Sequence, residues 1–184
     1  MFAAILHPGD ESEPGSGRRT EVTPRFPVSQ LLLADLLTPD RIRIPLEARD
    51  KNGIIEELCA LLALRCEATH EEELEIRDAV LERERVLSTG IGGGVAIPHG
   101  KSEAVDDLVL VAGRTGEPID FDALDERPVR IVMLLVGPES AAGLHVKVLS
   151  RISRLLRSPE LRDRLVRADS PEAFHEVLRR AETA

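Results

Sequence analysis

Tryptophan and tyrosine are absent from these 184 residues, and four phenylalanines supply all of the 2% aromatic content. Binding single-stranded nucleic acid calls for stacking rings, and four scattered rings make no such platform. The core must be aliphatic, built from Leu, Ile, Val and Ala. An excess of basic residues is also missing. The net charge of -9 argues against a nucleic-acid surface and fits a soluble protein. Cysteine is scarce: Cys59 and Cys66 lie seven apart in a helical pattern and read as small buried hydrophobes, not as a redox pair or half a zinc site. No stretch approaches the ~20 apolar residues of a membrane span. The opening "MFAAILHPGDES" has too short an apolar run, and no basic lead-in, for a secretory signal. Cytoplasm is the expected location, with no direct membrane insertion.

What is present points to one domain, because a chain of this length does not divide into two cores. Residues 1–28 mix Gly, Pro, Ser and charge without a hydrophobic period and read as a disordered or loosely held tail. Residues 29–184 form the domain. Ser29 is placed to cap a short helix over "QLLLADLL", ending before Pro39. "RIRIPLEA" alternates as a strand, and Pro45 confines it to an edge or an end. Ile54, Leu58, Leu61 and Leu62 recur at helical spacing over 50–65. Thr69 caps a further helix, with Glu71 to Glu73 in its first turn and Leu74, Val80 and Leu81 inward.

"DLVLVAGR" and "VRIVMLLVGP" are continuous apolar runs, read as buried strands with "TGEPIDFDALDERP" as a loop between them. From Ala141 the chain is helical, and two segments open with Ser-Pro-Glu, a cap followed by proline at the first helical position. The order α-β-α-α-β-β-β-α-α-α predicts an α/β fold, a central mixed β-sheet covered by helices on both faces.

The chemistry concentrates in Ser88–Ser102, "STGIGGGVAIPHGKS". A triphosphate loop needs glycine, four residues, then Gly-Lys-Ser/Thr. Counting back from Gly100 puts Val95 where that first glycine belongs, and Gly94 is one residue too early. A dinucleotide fingerprint fails too: its third glycine would fall on Val95 or Ile97. His99 remains. Pro98 steers the preceding residue toward extended backbone, so "VAIPH" presents His99 at the end of a strand. The glycines from Gly90 to Gly94 lower the wall in front of it and let another backbone come close. An imidazole with one nitrogen hydrogen-bonded and the other bare is a good nucleophile near neutral pH, which favours a covalent histidine intermediate.

Three blocks, "RERVLSTGIGGGVAIPHGK", "PIDFDALDERPVRIVMLLVGP" and "LHVKVLSRISRLL", resemble in order the type-2 EIIA domain of the bacterial phosphoenolpyruvate-dependent phosphotransferase system, a family with mannitol-, fructose- and nitrogen-regulatory members. The resemblance runs from about Ser29 to near the C-terminus. It implies that His99 accepts a phosphoryl group from phosphorylated HPr or an HPr-like carrier, and that Arg83 and His145 stand at the family's active-site arginine and second histidine. The group would pass to an EIIB domain or act as a signal to a regulatory target. No cofactor or metal is implied. "STGIG" and "AIPHG", in a chain carrying no EIIB or EIIC segment, read closest to the nitrogen-regulatory branch, with a sugar-specific EIIA or a phosphorylation-switched binding module as the alternatives. Many relatives carry Asn in the middle of a Gly-Asn-Gly turn where this chain has Gly93, which removes a side-chain hydrogen bond from that turn.

Other polar residues have plainer readings. Arg85 is the natural confusion with Arg83. His7, His70 and His175 read as surface or tail, and "HEEEL" at His70 lacks the second histidine of a zinc helix. Asp120 and Asp122 flank Phe121 in a turn and read as loop-packing residues.

Overall fold

The structure, a computed structural model, describes residues 32–183. The tail at 1–28 and the proposed cap Ser29 lie outside the described residues. Helix α1 (Leu33–Leu36) is followed by a 3-10 turn and strand β1 (Ile42–Leu46). Helices α2 (Lys51–Arg65) and α3 (His70–Val86) come next. Three short strands follow, β2 (Gly90–Gly92), β3 (Val95–Ala96) and β4 (His99–Lys101), then the long β5 (Val109–Ile119). Strand β6 (Val129–Gly137) leads through a 3-10 turn into α4 (Ala142–Leu155), α5 (Pro159–Arg167) and α6 (Pro171–Thr183).

The six strands form one sheet in the order β1-β5-β6-β3-β2, with β4 also paired to β6. It is mixed as expected: β1 runs parallel to β5, β5 antiparallel to β6, and β3 and β4 parallel to β6. Pro45 sits on the edge strand, where its missing N–H costs no ladder bond. The runs 109–112 of β5 and 131–136 of β6 are apolar because both of their faces are covered. Val132, Leu134 and Val136 point into a cluster with Ile54, Leu58 and Leu62 of α2 and Ile76 and Val80 of α3. Ile131, Met133 and Leu135 point the other way, toward Val148, Ile152, Leu161, Phe174 and Leu178 of α4, α5 and α6. Cys59 is fully buried in the first cluster, where burial pushes its thiol up to about 12; Cys66 packs at the margin of that cluster.

The caps read at Thr69, Ser158 and Ser170 are present, and Asp50 caps α2 as well. Helix α1 starts only at Leu33 with Leu32 as its N-cap, later than the helix expected over "QLLLADLL". Asp50 accepts from Gly53 N, Thr69 and Glu72 form a reciprocal box, and Ser158 and Ser170 accept from Leu161 N and Ala173 N. Three other details differ. Strand β5 continues through Thr115–Ile119, a segment read as loop, because Ile119 pairs with Val129 beyond an irregularity in the ladder. The inner stripe of α3 is Ile76, Val80 and Glu84, spaced four apart, while Leu74 and Leu81 are half-buried. His175, read as surface, is half-buried, and its Nε2 donates to the Ala34 carbonyl at 3.0 Å.

Gly100 decides how closely α3 lies on β4. A Cβ there would stand 3.0–3.2 Å from Val80 Cγ2, Val80 N and the Ala79 carbonyl carbon. Two of those atoms are helix backbone and cannot rotate aside. Gly100→Ala is therefore expected to push α3 outward and to destabilise the fold by about 1–3 kcal/mol, the usual range for overpacking. Thermal or urea unfolding checks this, and an unchanged midpoint would mean the helix has room to spare.

Candidate functional site

Strands β3 and β4 act as one strand interrupted at Ile97-Pro98, since both pair with β6, at Val95↔Ile131 and His99↔Leu135. The outer neighbour β2 pairs only with β3, through Gly90↔Ala96 and Gly92↔Val95. Beyond the interruption β4 has no further strand beside it among the described residues. His99 thus stands at the first residue of β4, where the sheet edge becomes bare. The reading of "VAIPH" placed it at the end of a single strand; the proline break starts a new one.

The glycine run builds the hairpin that ends this cover. Gly92, Gly93 and Gly94 take φ of +90°, +64° and +79°, a left-handed run that side-chain-bearing residues resist. Gly93 N donates to Asp125 Oδ2 at 2.8 Å, and this bond is the main reason the Asp125 carboxyl is held below its usual range. A Cβ at Gly93 would stand 2.9 Å from the guanidinium carbon of Arg162, whose Nη1 also donates to the carbonyls of Leu156 and Arg157. The turn that lacks an asparagine side chain is held instead by Asp125 below and covered by Arg162 from α5.

His99 Nδ1 lies 2.9 Å from the Ile97 carbonyl oxygen. A carbonyl only accepts, so this bond places the proton on Nδ1 and leaves the lone pair on Nε2. Burial holds the imidazole pKa below its ordinary value; the bond to Ile97 works against that, the Arg83 charge adds to it, and Glu84 opposes it. The ring is consequently neutral at neutral pH.

The two other residues singled out sit on helices that cover opposite faces of the sheet. Arg83, half-buried in the last turn of α3, comes from one side, its Nη1 donating to Leu87 O at 2.9 Å. Arg85 is exposed. His145 comes from the other side on the first turn of α4, its ring centroid 5.9 Å from that of His99 in an edge-on arrangement of 65°. His145 is 4% exposed and its Nδ1 is buried without a hydrogen-bond partner. Lys101, on the same strand as His99, pairs with Glu139 at 2.8 Å at the head of α4. Of the three residues singled out from the sequence, His99 and His145 face each other, and the charge of Arg83 is felt at His99. Asp120 and Asp122 serve the turn as expected, Asp120 accepting from Asp122 N. His70 opens α3 on the surface.

Sequence reasoning passed over Glu84. It is 4% exposed, accepts from Thr89 N at 3.1 and 3.0 Å and from the Thr89 hydroxyl, and pairs with Lys51 Nζ at 2.7 Å. Lys51 also bonds Asp122 at 3.1 Å and lies 5.5 Å from the Phe121 ring centre. Burial disfavours the ammonium, but its bonds to Glu84 and Asp122 outweigh that and raise its pKa. The only available signal was the fourfold spacing of Ile76, Val80 and Glu84, which turns this carboxylate inward.

Burial, with the neighbouring His99 and Lys101, pushes His145 down to about 4 from an ordinary 6.5, against the pull of Glu139. Because the folded value is below the unfolded one, the unfolded chain binds more protons between pH 6.5 and about 4. Stability is thus fully present above pH 6.5 and falls as pH drops through the window, by roughly 3 kcal/mol at the acid end. His145→Gln is expected to lose most of that acid dependence relative to wild type. Urea midpoints between pH 7 and pH 4.5 check it, and parallel curves for the two proteins would assign the acid sensitivity to other groups.

His99 is thus a neutral, pinned imidazole at the sheet edge, facing a second imidazole and within reach of the Arg83 charge. The family described as "Phosphoenolpyruvate-dependent sugar phosphotransferase system, EIIA 2" matches residues 35–181, and the chain belongs to that family. Among its relatives is a nitrogen regulatory protein of Bradyrhizobium diazoefficiens, 36% identical over 146 residues, covering 79% of this chain and 94% of that protein. The fructose-specific EIIABC component of Bacillus subtilis is 32% identical over the same length, which is 23% of that larger protein. The solved nitrogen regulatory protein IIA-Ntr of Neisseria meningitidis superimposes with a TM-score of 0.72 at 32% identity, covering 79% of this chain and 98% of that one. No described helix is long and apolar enough to cross a membrane.

Proposed function

We propose that this chain is a phosphohistidine carrier in which His99 Nε2 accepts the phosphoryl group of phosphorylated HPr or an HPr-like carrier. The observation that carries this reading is the Nδ1–Ile97 bond, which leaves Nε2 as the lone-pair nitrogen of a neutral ring. In the transfer, that lone pair forms the new P–N bond as the P–N bond to the donor histidine breaks and its electron pair returns to the donor nitrogen. Such transfers have loose transition states with charge on three oxygens, so positioning and charge stabilisation do most of the work. Arg83 offers a forked cation to those oxygens, and His145 a hydrogen bond. Exposed Val86, Leu87, Ile91 and Leu124 follow Arg83 or flank the glycine hairpin and suit a docking face for a carrier protein.

The nitrogen-regulatory branch is favoured, because full-length relatives and the solved structure at 32% identity carry that name. In that case the phosphoryl state of His99 selects a regulatory target. A sugar-specific role would instead hand the group to an EIIB domain, as the composite name of the fructose-specific relative suggests for that protein. Incubation with phosphoenolpyruvate, Enzyme I and HPr or its nitrogen-branch counterpart tests the shared core: acid-labile, base-stable phosphate is expected on the chain, and its absence with both donors rejects the reading. Chasing the labelled protein with a fructose-type EIIB separates the branches; rapid loss of label would favour the sugar-specific role.

A further inference from the structure

A groove of about 810 Å³ lies away from His99, along α4 where it meets α1 and the end of α6. Leu144, Val148 and Leu155 give it apolar walls, and Lys147, Arg151 and Arg154 a cationic rim. Val146, 63% exposed, borders it. Arg151 is tied to Glu182 at 2.9 Å, while among the described residues Lys147 and Arg154 have no carboxylate partner. Glu182 has a second task. Its carboxylate, 1% exposed, accepts from Leu33 N at 2.8 Å and Ala34 N at 2.9 Å, so it fixes the start of α1. Leu33 itself lines the groove. The polypeptide preceding residue 32 therefore joins the domain at the margin of this groove.

We propose that the occupant is the N-terminal segment of this same chain: Met1–Leu6, "MFAAIL", against the apolar walls, with Asp10, Glu11 and Glu13 against Lys147, Arg151 and Arg154. Three observations carry this. The segment is tethered at the groove's edge, and the 26 residues between Leu6 and Leu33 can span ~80 Å when extended, far more than the groove requires. Its pattern, a short apolar run followed within a few residues by three carboxylates, is the complement of an apolar trough with a basic rim. A tethered segment also meets its site at an effective concentration on the order of millimolar, so a small contact suffices. The occupied groove would share α4 with His145, one residue before Val146, although the proposal does not depend on His99 being a phosphoryl acceptor.

The test uses the full chain. Phe2→Asp combined with Ile5→Asp alters only residues that precede the described ones, and circular dichroism of both proteins checks that the domain stays folded. Methyl resonances of Leu144, Val146 and Leu155 are expected to differ between wild type and this double variant, at every protein concentration. Raising the salt concentration is expected to move the wild-type spectrum part of the way toward the variant. Lys147→Glu with Arg154→Glu should move the same methyls in the same direction. Superimposable spectra, or differences centred away from the groove, overturn the proposal. Differences that fade on dilution also overturn it, because they would seat a second copy there instead. Phosphate labelling of His99 is read separately, and either result can fail without the other.

Discussion

His99→Ala is expected to take up no acid-labile phosphate under conditions that saturate the wild-type chain, a loss without a measurable residue. The reason is specific to the nitrogen. Of the imidazoles near the strand edge, only that of His99 has its Nδ1 committed to a backbone carbonyl, which leaves the lone pair on Nε2. His145 is no substitute, since its ring is 4% exposed and faces His99 rather than an incoming donor. His145→Ala and Arg83→Ala should both keep a labelled His99 but reach it more slowly, by about 10²-fold, the scale on which one oriented hydrogen-bond donor stabilises transition-state charge. Arg83→Lys is expected to recover only part of the rate, because a lysine lacks the planar fork that spans two oxygens. Rapid-quench labelling with phosphorylated HPr as donor separates these cases. Undiminished labelling of His99→Ala would place the acceptor elsewhere and remove the basis of the carrier reading.

Much of this site was legible before any coordinates, and the parts that were not share a cause. Continuous apolar runs announced β5 and β6 because strands buried on both faces carry no alternation. Ser-Pro-Glu and Thr-x-x-Glu announced helix starts because caps are local chemistry. His99 stands out from its own surroundings, the glycines before it and the proline beside it, whereas Arg83 and His145 are picked out only by the family resemblance. Thr115–Ile119 joins a strand because Val129 lies opposite it, a fact about a partner ten residues further on. Glu84 looked like one charge among many in "LERER", and its neighbours Lys51 and Thr89 reach it only after α2, α3 and the glycine hairpin have folded together. Gly93 looked like a weakened turn, yet the contact that replaces a side chain there comes from Arg162, 69 positions later. Local patterns speak for local geometry; contacts between distant segments leave little trace in either segment alone.

Glu84 is the residue whose loss should cost the fold most. Its carboxylate satisfies the Thr89 N–H and hydroxyl and neutralises Lys51, all with 4% of its surface exposed. Glu84→Ala leaves a mostly buried ammonium with only the exposed Asp122 as partner, and leaves the buried Thr89 N–H with no acceptor. Removing one member of a buried pair in this way costs about 3–5 kcal/mol, whereas the intact pair need contribute little net stability. Glu84→Gln should cost less, since the amide oxygen still accepts from Thr89, but it leaves the charge of Lys51 unmet. Combining Glu84→Gln with Lys51→Met removes the charge from both sides and is expected to recover a large part of that loss. The consequence reaches the strand edge, because Thr89 N and the Glu84 carboxylate join the end of α3 to the segment that becomes the glycine hairpin. Arg83 is the residue just before Glu84 on that helix, so loosening the joint is expected to slow phosphoryl uptake in Glu84→Gln even at temperatures where it is fully folded. Urea unfolding of the single and double variants, together with labelling rates on folded protein, measures both effects. If Glu84→Gln loses less than 1 kcal/mol of stability and labels at the wild-type rate, the buried ion pair is not what anchors Arg83 beside His99.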